Sequence, residues 1–460
     1  MAKALSGPPL PSHMEEPEGP VIIPRASWEW LEDVPLATAC VMETSSMKKV
    51  PVRCESIFTR CVSVAMRRII SHPHDELGWK LFLCVPSLLL GVPASGAKGL
   101  TALVRRRCER FLLGEWSHLA PTSWRDSAER VAAGGGREVV ESEARGRQVP
   151  STSVTEARAM SDAVALVGQA QLSRAMRRLE VAVLCPPTEE VFQALEALHP
   201  PRSGLFPAPT PEVGPPPIAI LQEVFDATMG RLPAATAPGT SQMRYEHLRS
   251  VYLHGGDIHL YQVCCLMAAG RVPVGIRPYL AGARLVALCK EGKPPPPDGP
   301  VRPIACGESL RRLCGRIVST QMAPRFSSYF ARPPEGEERI TPVQLGVAVP
   351  GGSDIMVHTL QSAMELHPEW AFASVDIKNA FNSVSRSVMA DRVLLLFPEL
   401  WSCIDGCYGS PPAFVVWSAG RAWRGEEADH IIGRGHAARR PPRPLFVFLG
   451  LPRCARAVSA

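Results

Sequence analysis

Hydrophobic and polar positions along this chain follow two rhythms. In "VPVRCESIFTRCVSVAMRRII" apolar residues return every three or four positions with arginines between them, the pattern of an amphipathic helix; "GLTALVRRRCERFLLGEW" repeats it. This rhythm runs from Trp28 to about Leu119. A second helical block, from about Ser153 to Leu198, holds "LSRAMRRLEVAVL" and "PTEEVFQALEALHPP", the latter with Thr188 placed as an N-cap and Pro200-Pro201 as a stop. From about Ile218 short strand-like runs alternate with helical ones, which predicts an α/β or α+β domain. There "ARLVALCK" and "VRPIAC" are predicted strands, joined by "EGKPPPPDGP", a loop because four consecutive prolines cannot enter a sheet. "GESLRRLCGRIV" is a predicted helix, with Leu310, Leu313, Cys314 and Ile317 on one stripe and Arg311, Arg312 and Arg316 off it. "GGSDIMVHTLQSAMEL" is another, with Ser353 as N-cap; "WAFASVDI" is a predicted strand, and "VSRSVMADRVLLLF" a helix halted at Pro398.

Composition sets the breaks between these stretches. Residues 1–25 are rich in Pro and Glu and predict a disordered tail ahead of a helical region, 26–119. Residues 120–152 lose periodicity and gain Gly and charge, as a linker does. The second helical block spans 153–200, a Pro-rich linker 201–217, and the last domain 218–460. No internal repeat is present. The expected fold class is α+β.

Bulk composition adds little about partners. With 46% hydrophobic and 20% charged residues the chain is ordinary for a globular protein, and a net charge of +6 is too small over 460 residues to establish a nucleic-acid partner. The 14 Cys are scattered, without a CxxC pair or zinc spacing, which points to buried reduced thiols in an intracellular protein, nuclear or cytoplasmic. "MAKALSGPPLPSHMEEPEGP" has no apolar core, so it is not a signal peptide and secretion is not expected. "LFLCVPSLLLGV" is too short to span a membrane and reads as core.

Candidate chemistry centres on "WAFASVDIKNAFNSVSRSVM", where an apolar run stops at Asp376 and a ring, Phe381, follows five residues on. A carboxylate at a strand end can hold Mg²⁺, which takes oxygen ligands and keeps waters for a substrate phosphate. Phosphoryl transfer is well served by two such metals about 4 Å apart, and two metals need more than one carboxylate. On its own Asp376 reads first as a cap for the next helix. Upstream, Lys290 and Arg302 flank the proline-rich loop. Such a basic hairpin suits a polyphosphate, with Lys a point charge and Arg a bidentate fork, although a solvated loop cation is an equal reading of Lys290.

The order of these parts resembles a reverse transcriptase of the non-LTR retrotransposon type. "GTSQMRYEHLRSV" is similar to the family's first fingers segment. "RLVALCKEGKPPPPDGPVRPIACGESLRRLCGRIV" resembles its strand–loop–strand with the Arg-Pro-Ile signature. "PVQLGVAVPGGSDIMVHTLQ" is similar to the segment before the palm, and "SVDIKNAFNSVSR" to the first palm motif. The likeness covers most of residues 50–420. It implies the fingers and part of the palm of a right-hand polymerase fold. It also implies RNA-directed DNA synthesis with an RNA template, a DNA primer, deoxynucleoside triphosphates and two Mg²⁺ ions, and no membrane partner. By resemblance Asp376 is the first metal-binding aspartate, joined by the Ile377 carbonyl. Phe381 would lie under the incoming sugar and exclude a 2′-hydroxyl, a core aromatic being the other reading. Lys290 and Arg302 would grip the triphosphate.

Two of the family's palm parts have no counterpart after Asp376: the Gln-Gly-Asp-Pro-Leu-Gly turn and the Ala-Asp-Asp hairpin. Residues 436–444, His-Ala-Ala-Arg-Arg-Pro-Pro-Arg-Pro, admit codons whose neighbouring frame reads Met-Gln-Gln-Gly-Asp-Pro-Leu-Gly-Pro, so a local frameshift over that turn is expected. A palm with one catalytic carboxylate cannot hold two metals in register, so the chain as written is expected to be a weak or inactive polymerase fragment that folds in part. The alternative is a non-catalytic RNA-binding remnant. An unrelated Mg²⁺ phosphotransferase would need a phosphate loop, and "VPGGSD" lacks the Lys-Ser/Thr continuation.

Overall fold

The computed structural model describes residues 21–36, 46–92, 99–121, 184–199, 216–290, 292–331, 344–409, 414–418 and 421–423, omitting 187, 374, 378 and 379 from these spans and adding 124 and a few positions within 160–168. Among these residues the chain is mostly helical with a small sheet, which agrees with an α+β class.

The amino-terminal helices form where the apolar period predicts them. Glu55–Ser71 buries Phe58, Cys61, Val62, Ala65, Met66 and Ile69. It packs on Glu76–Leu90, whose "LFLCVPSLLL" run is entirely buried, Pro86 included. That second helix starts at Asp75, whose carboxylate accepts from the Leu77 amide at 3.0 Å and pairs with Arg68. Burying side chains of this size contributes roughly 1.5–3 kcal/mol each. Glu55–Ser71 also touches Tyr245–Val251 and Asp257–Ala268, so one hydrophobic cluster runs from Leu31 through Phe58, Trp116 and Phe225 to Phe326 and Ile404. Among the described residues no helix is long and apolar enough to cross a membrane.

The sheet has the order β2-β1-β3-β4. Strands β1 (Ala283–Cys289) and β2 (Val301–Gly307) form an antiparallel ribbon, with Ala283 opposite Gly307 and Cys289 opposite Val301. The first half of β1 pairs in parallel with β3 (Phe414–Ser418), which turns back antiparallel into β4 (Arg421–Trp423). The other half is bridged by Leu184, next to a hydrogen bond that the Cys185 amide donates to the Ala287 carbonyl at 3.1 Å. Residues alternate across a strand, so Ala283, Leu285 and Ala287 share one face. They pack with Ala305, Cys185, and Val191 and Leu195 of the helix Glu189–Ala197. Thr188 caps that helix as expected, accepting from the Val191 amide. After β2 comes the helix Ser309–Ala331, whose stripe of Leu310, Leu313, Cys314 and Ile317 is buried as the sequence predicts.

Several expectations are corrected. No strand forms over residues 370–373 and 375–377, and Trp370, Phe372, Val375 and Ile377 are exposed. The run has strand-like composition, but an extended backbone needs a neighbour for its amides and carbonyls, and no described strand lies alongside it. The helix before it runs Gly352–Leu366 with Gly351 at its cap, at φ 65°, so Ser353 sits inside the first turn. A Cβ on Gly352 would collide with the Leu345 carbonyl, which explains a glycine pair there better than a serine cap does. Trp124, inside the stretch read as linker, is fully buried. Val21 and Ile23, inside the stretch read as disordered, pack on the core. The 436–444 segment and "LSRAMRRLEVAVL" up to 183 lie outside the described residues.

Candidate functional site

The β1–β2 ribbon has one face packed in a hydrophobic cluster. Opposite residues of an antiparallel pair project to the same side, so the other face carries Arg284, Val286 and Leu288 from β1, half-buried, across from Cys306, buried, Ile304, half-buried, and Arg302, exposed. Arg302 is exposed opposite Leu288, and Lys290 is exposed directly after β1, so the structure brings the two predicted cations together at one end of the ribbon. The loop between the strands turns back through a bond from the Lys293 amide to the Lys290 carbonyl at 2.9 Å. Between Lys290 and Arg302 the loop carries Lys293 and two acids, Glu291 and Asp298. This end can take a multiply charged anion: the fork of Arg302 matches a phosphate edge and the lysines add point charges.

The base of the ribbon is built differently. The turn before Tyr245–Val251, "GTSQM", is fastened to the start of the helix Ser309–Ala331. Glu308 is 1% exposed, and its carboxylate accepts from Thr240 Oγ1 at 2.8 Å, the Ser241 amide at 2.8 Å and Ser241 Oγ at 2.5 Å. A Cβ at Gly239 would strike that carboxylate, so only glycine fits. Ser309 Oγ donates to the Met243 carbonyl at 2.6 Å. These bonds set Arg244 beside Arg312, whose guanidinium stacks over the Tyr245 ring at 5.0 Å and donates to the Ala237 carbonyl at 2.7 Å. Burial holds Arg244 below the usual guanidinium range; Glu246 opposes this, and Arg284 and Arg312 add to it. Neither Arg284 nor Arg244 stood out in the sequence. Only the strand register puts Arg284 on the same face as Arg302.

Asp376 and Ile377 are exposed in an irregular segment. The Asp376 carboxylate takes part in no hydrogen bond or ion pair among the described residues. Phe381 belongs to a short helix, Ala380–Ser383. Mg²⁺ wants several oxygen ligands, and among the described residues no three His, Cys, Asp or Glu side chains converge. Among the described residues Asp376 is thus not part of such a cluster.

The described cysteines are free thiols, most of them buried. Burial pushes Cys84 up to about 12, which keeps it protonated and inert.

No protein-family model and no curated protein matches the chain.

Proposed function

We propose that this chain is a retroelement-type RNA-directed DNA polymerase in origin, with a fingers-like ribbon that receives nucleotide phosphates, and that these 460 residues are a weak or inactive polymerase. The observation that carries the reading is the ribbon itself: Lys290 and Arg302 lie at the same end of a hairpin, and its second strand runs into a long helix. The sequence resemblance supplies the reaction class. The sequence carries no Ala-Asp-Asp hairpin after Asp376, which supports the second half of the proposal, since phosphoryl transfer depends on charge neutralised at both the attacking and leaving oxygens. It equally favours the second reading, a nucleic-acid-binding protein without catalysis.

The test uses the full chain. A fluorescent deoxynucleoside triphosphate is expected to bind, with several-fold loss in Lys290→Ala and in Arg302→Ala. Primer extension on an RNA template with Mg²⁺ is expected to yield little or no DNA. Unchanged triphosphate binding in both variants would remove the nucleotide site, and robust extension would remove the claim of weak activity. If Asp376→Ala changes neither RNA binding nor residual extension, the non-catalytic reading stands.

A further inference from the structure

Cys185 and Cys289 are 104 residues apart in the chain, yet their Sγ atoms lie 3.3 Å apart. Cys289 is the last residue of β1, directly before Lys290. Cys185 belongs to the short segment that Leu184 bridges to Leu288, and its amide donates to the Ala287 carbonyl. Cys185 therefore stands across from Ala287, and Cys289, two residues on, shares that face. No spacing in the sequence joins the two thiols; only the pairing of distant segments does.

The pair is placed as an oxidation needs it. Cys289 is half-buried beside exposed Lys290, so a small oxidant in water can reach it. Cys185 is 7% exposed. Burial pushes its thiol up, and the bond to Cys289 adds to this, so it stays protonated and is shielded from oxidants except through its partner. Other thiol contacts among the described residues lack one of these features. Cys61 and Cys108 meet with both buried, as do Cys314 and Cys403. Cys407 is half-buried, but it meets Cys403 on its own helix, Trp401–Tyr408, whose backbone fixes the separation of residues four apart. Cys185 and Cys289 sit on separate segments. A disulfide is about 2.05 Å long, and a small shift of the 184–185 segment against β1 brings the sulfurs together.

We propose that Cys185 and Cys289 are a site of reversible oxidation, closing to a disulfide that clasps the segment before the helix Glu189–Ala197 onto β1, at the end of the ribbon that carries Lys290. The oxidant is a peroxide. The Cys289 sulfur attacks a peroxide oxygen and the O–O bond breaks. The thiol proton leaves with the departing oxygen as an alcohol or water, and Cys289 becomes a sulfenic acid. The Cys185 sulfur then attacks the Cys289 sulfur, the S–O bond breaks, and the Cys185 proton leaves with the hydroxide as water. The two thiols lose two electrons and the peroxide gains them. A dithiol reductant reverses the change by exchange. The inference stands apart from the proposed function and holds whether or not the ribbon receives a nucleotide.

The experiment treats the reduced full chain with hydrogen peroxide at a near-stoichiometric dose, blocks remaining thiols with iodoacetamide, and maps the peptides by mass spectrometry without reduction. A peptide pair joined through Cys185 and Cys289, lighter by two hydrogens and released by dithiothreitol, is expected. In Cys185→Ser the same dose is expected to leave Cys289 as a sulfenic acid that dimedone traps; in Cys289→Ser it is expected to leave Cys185 a free thiol. Amide hydrogen exchange over Ala283–Cys289 is expected to slow several-fold in the cross-linked wild type and to ignore peroxide in both variants. The clasp is overturned if Cys289 oxidises in the wild type while Cys185 stays free, if other thiols link first, or if the link forms with no change in exchange. If neither thiol reacts in the folded chain while both react in urea, they are plain core thiols and the proposal fails as well. Thermal melts of the reduced variants that match the reduced wild type show that the fold is kept, and the wild-type map decides the point without them.

Discussion

His247 shows how one side chain ties distant parts of this chain. It is fully buried, with Nε2 at 2.9 Å from the Met47 carbonyl and Nδ1 at 3.2 Å from the Arg244 amide. A carbonyl only accepts and an amide only donates, so the ring is neutral with its proton on Nε2. Burial lowers its pKa to about 4; the Met47 carbonyl opposes this and Arg244 reinforces it. The unfolded ring titrates near the usual value of about 6.5. Between these values the unfolded chain binds the proton and the folded one does not. Stability is therefore complete above about pH 6.5 and falls as pH drops toward 4, by up to about 3 kcal/mol. His199, also held low by burial, acts in the same direction. Melting temperature is expected to fall over this window in the wild type and to fall less in His247→Gln. Parallel curves for the two proteins would refute the assignment.

At the scale of elements, Glu308 decides whether the "GTSQM" turn and the long helix hold together. Its carboxylate takes three hydrogen bonds while almost wholly buried. In Glu308→Ala the donors of Thr240 and Ser241 lose their acceptor inside the protein, which is expected to cost about 2–4 kcal/mol. Denaturant unfolding measures this, and a loss below about 1 kcal/mol would show that the turn stands by other means.

For the whole molecule, the main asymmetry lies between a continuous core and one bare stretch. The core joins the amino-terminal helices to Ile218–Ile404. Over Gly352–Ile377, by contrast, Ile355, Met356, Val357, Leu360, Met364, Leu366, Trp370 and Phe372 are exposed together. Apolar surface of this extent binds dyes and drives association. The chain is expected to enhance the fluorescence of an apolar-surface dye. Replacing Ile355, Leu360 and Met364 with Glu is expected to remove most of that signal without shifting the main unfolding transition, since these side chains add nothing to the core. A large shift would show that they are buried in solution.

The elements that depend on near neighbours in the chain were legible in advance. The helices Glu55–Ser71 and Ser309–Ala331, the Thr188 cap, and both ribbon strands follow from local periodicity and capping, which act within a few residues. Lys290 and Arg302 were legible for the same reason: a hairpin brings its two ends together by construction. The strand that does not form at residues 370–373 and 375–377 shows the limit, because composition can favour an extended chain but only a neighbouring strand can complete its hydrogen bonds. The grouping of Arg244, Arg284 and Arg312, the burial of Glu308 and the neutral state of His247 were decided by tertiary structure alone. Each depends on register and packing between segments tens to hundreds of residues apart, and no local pattern records that.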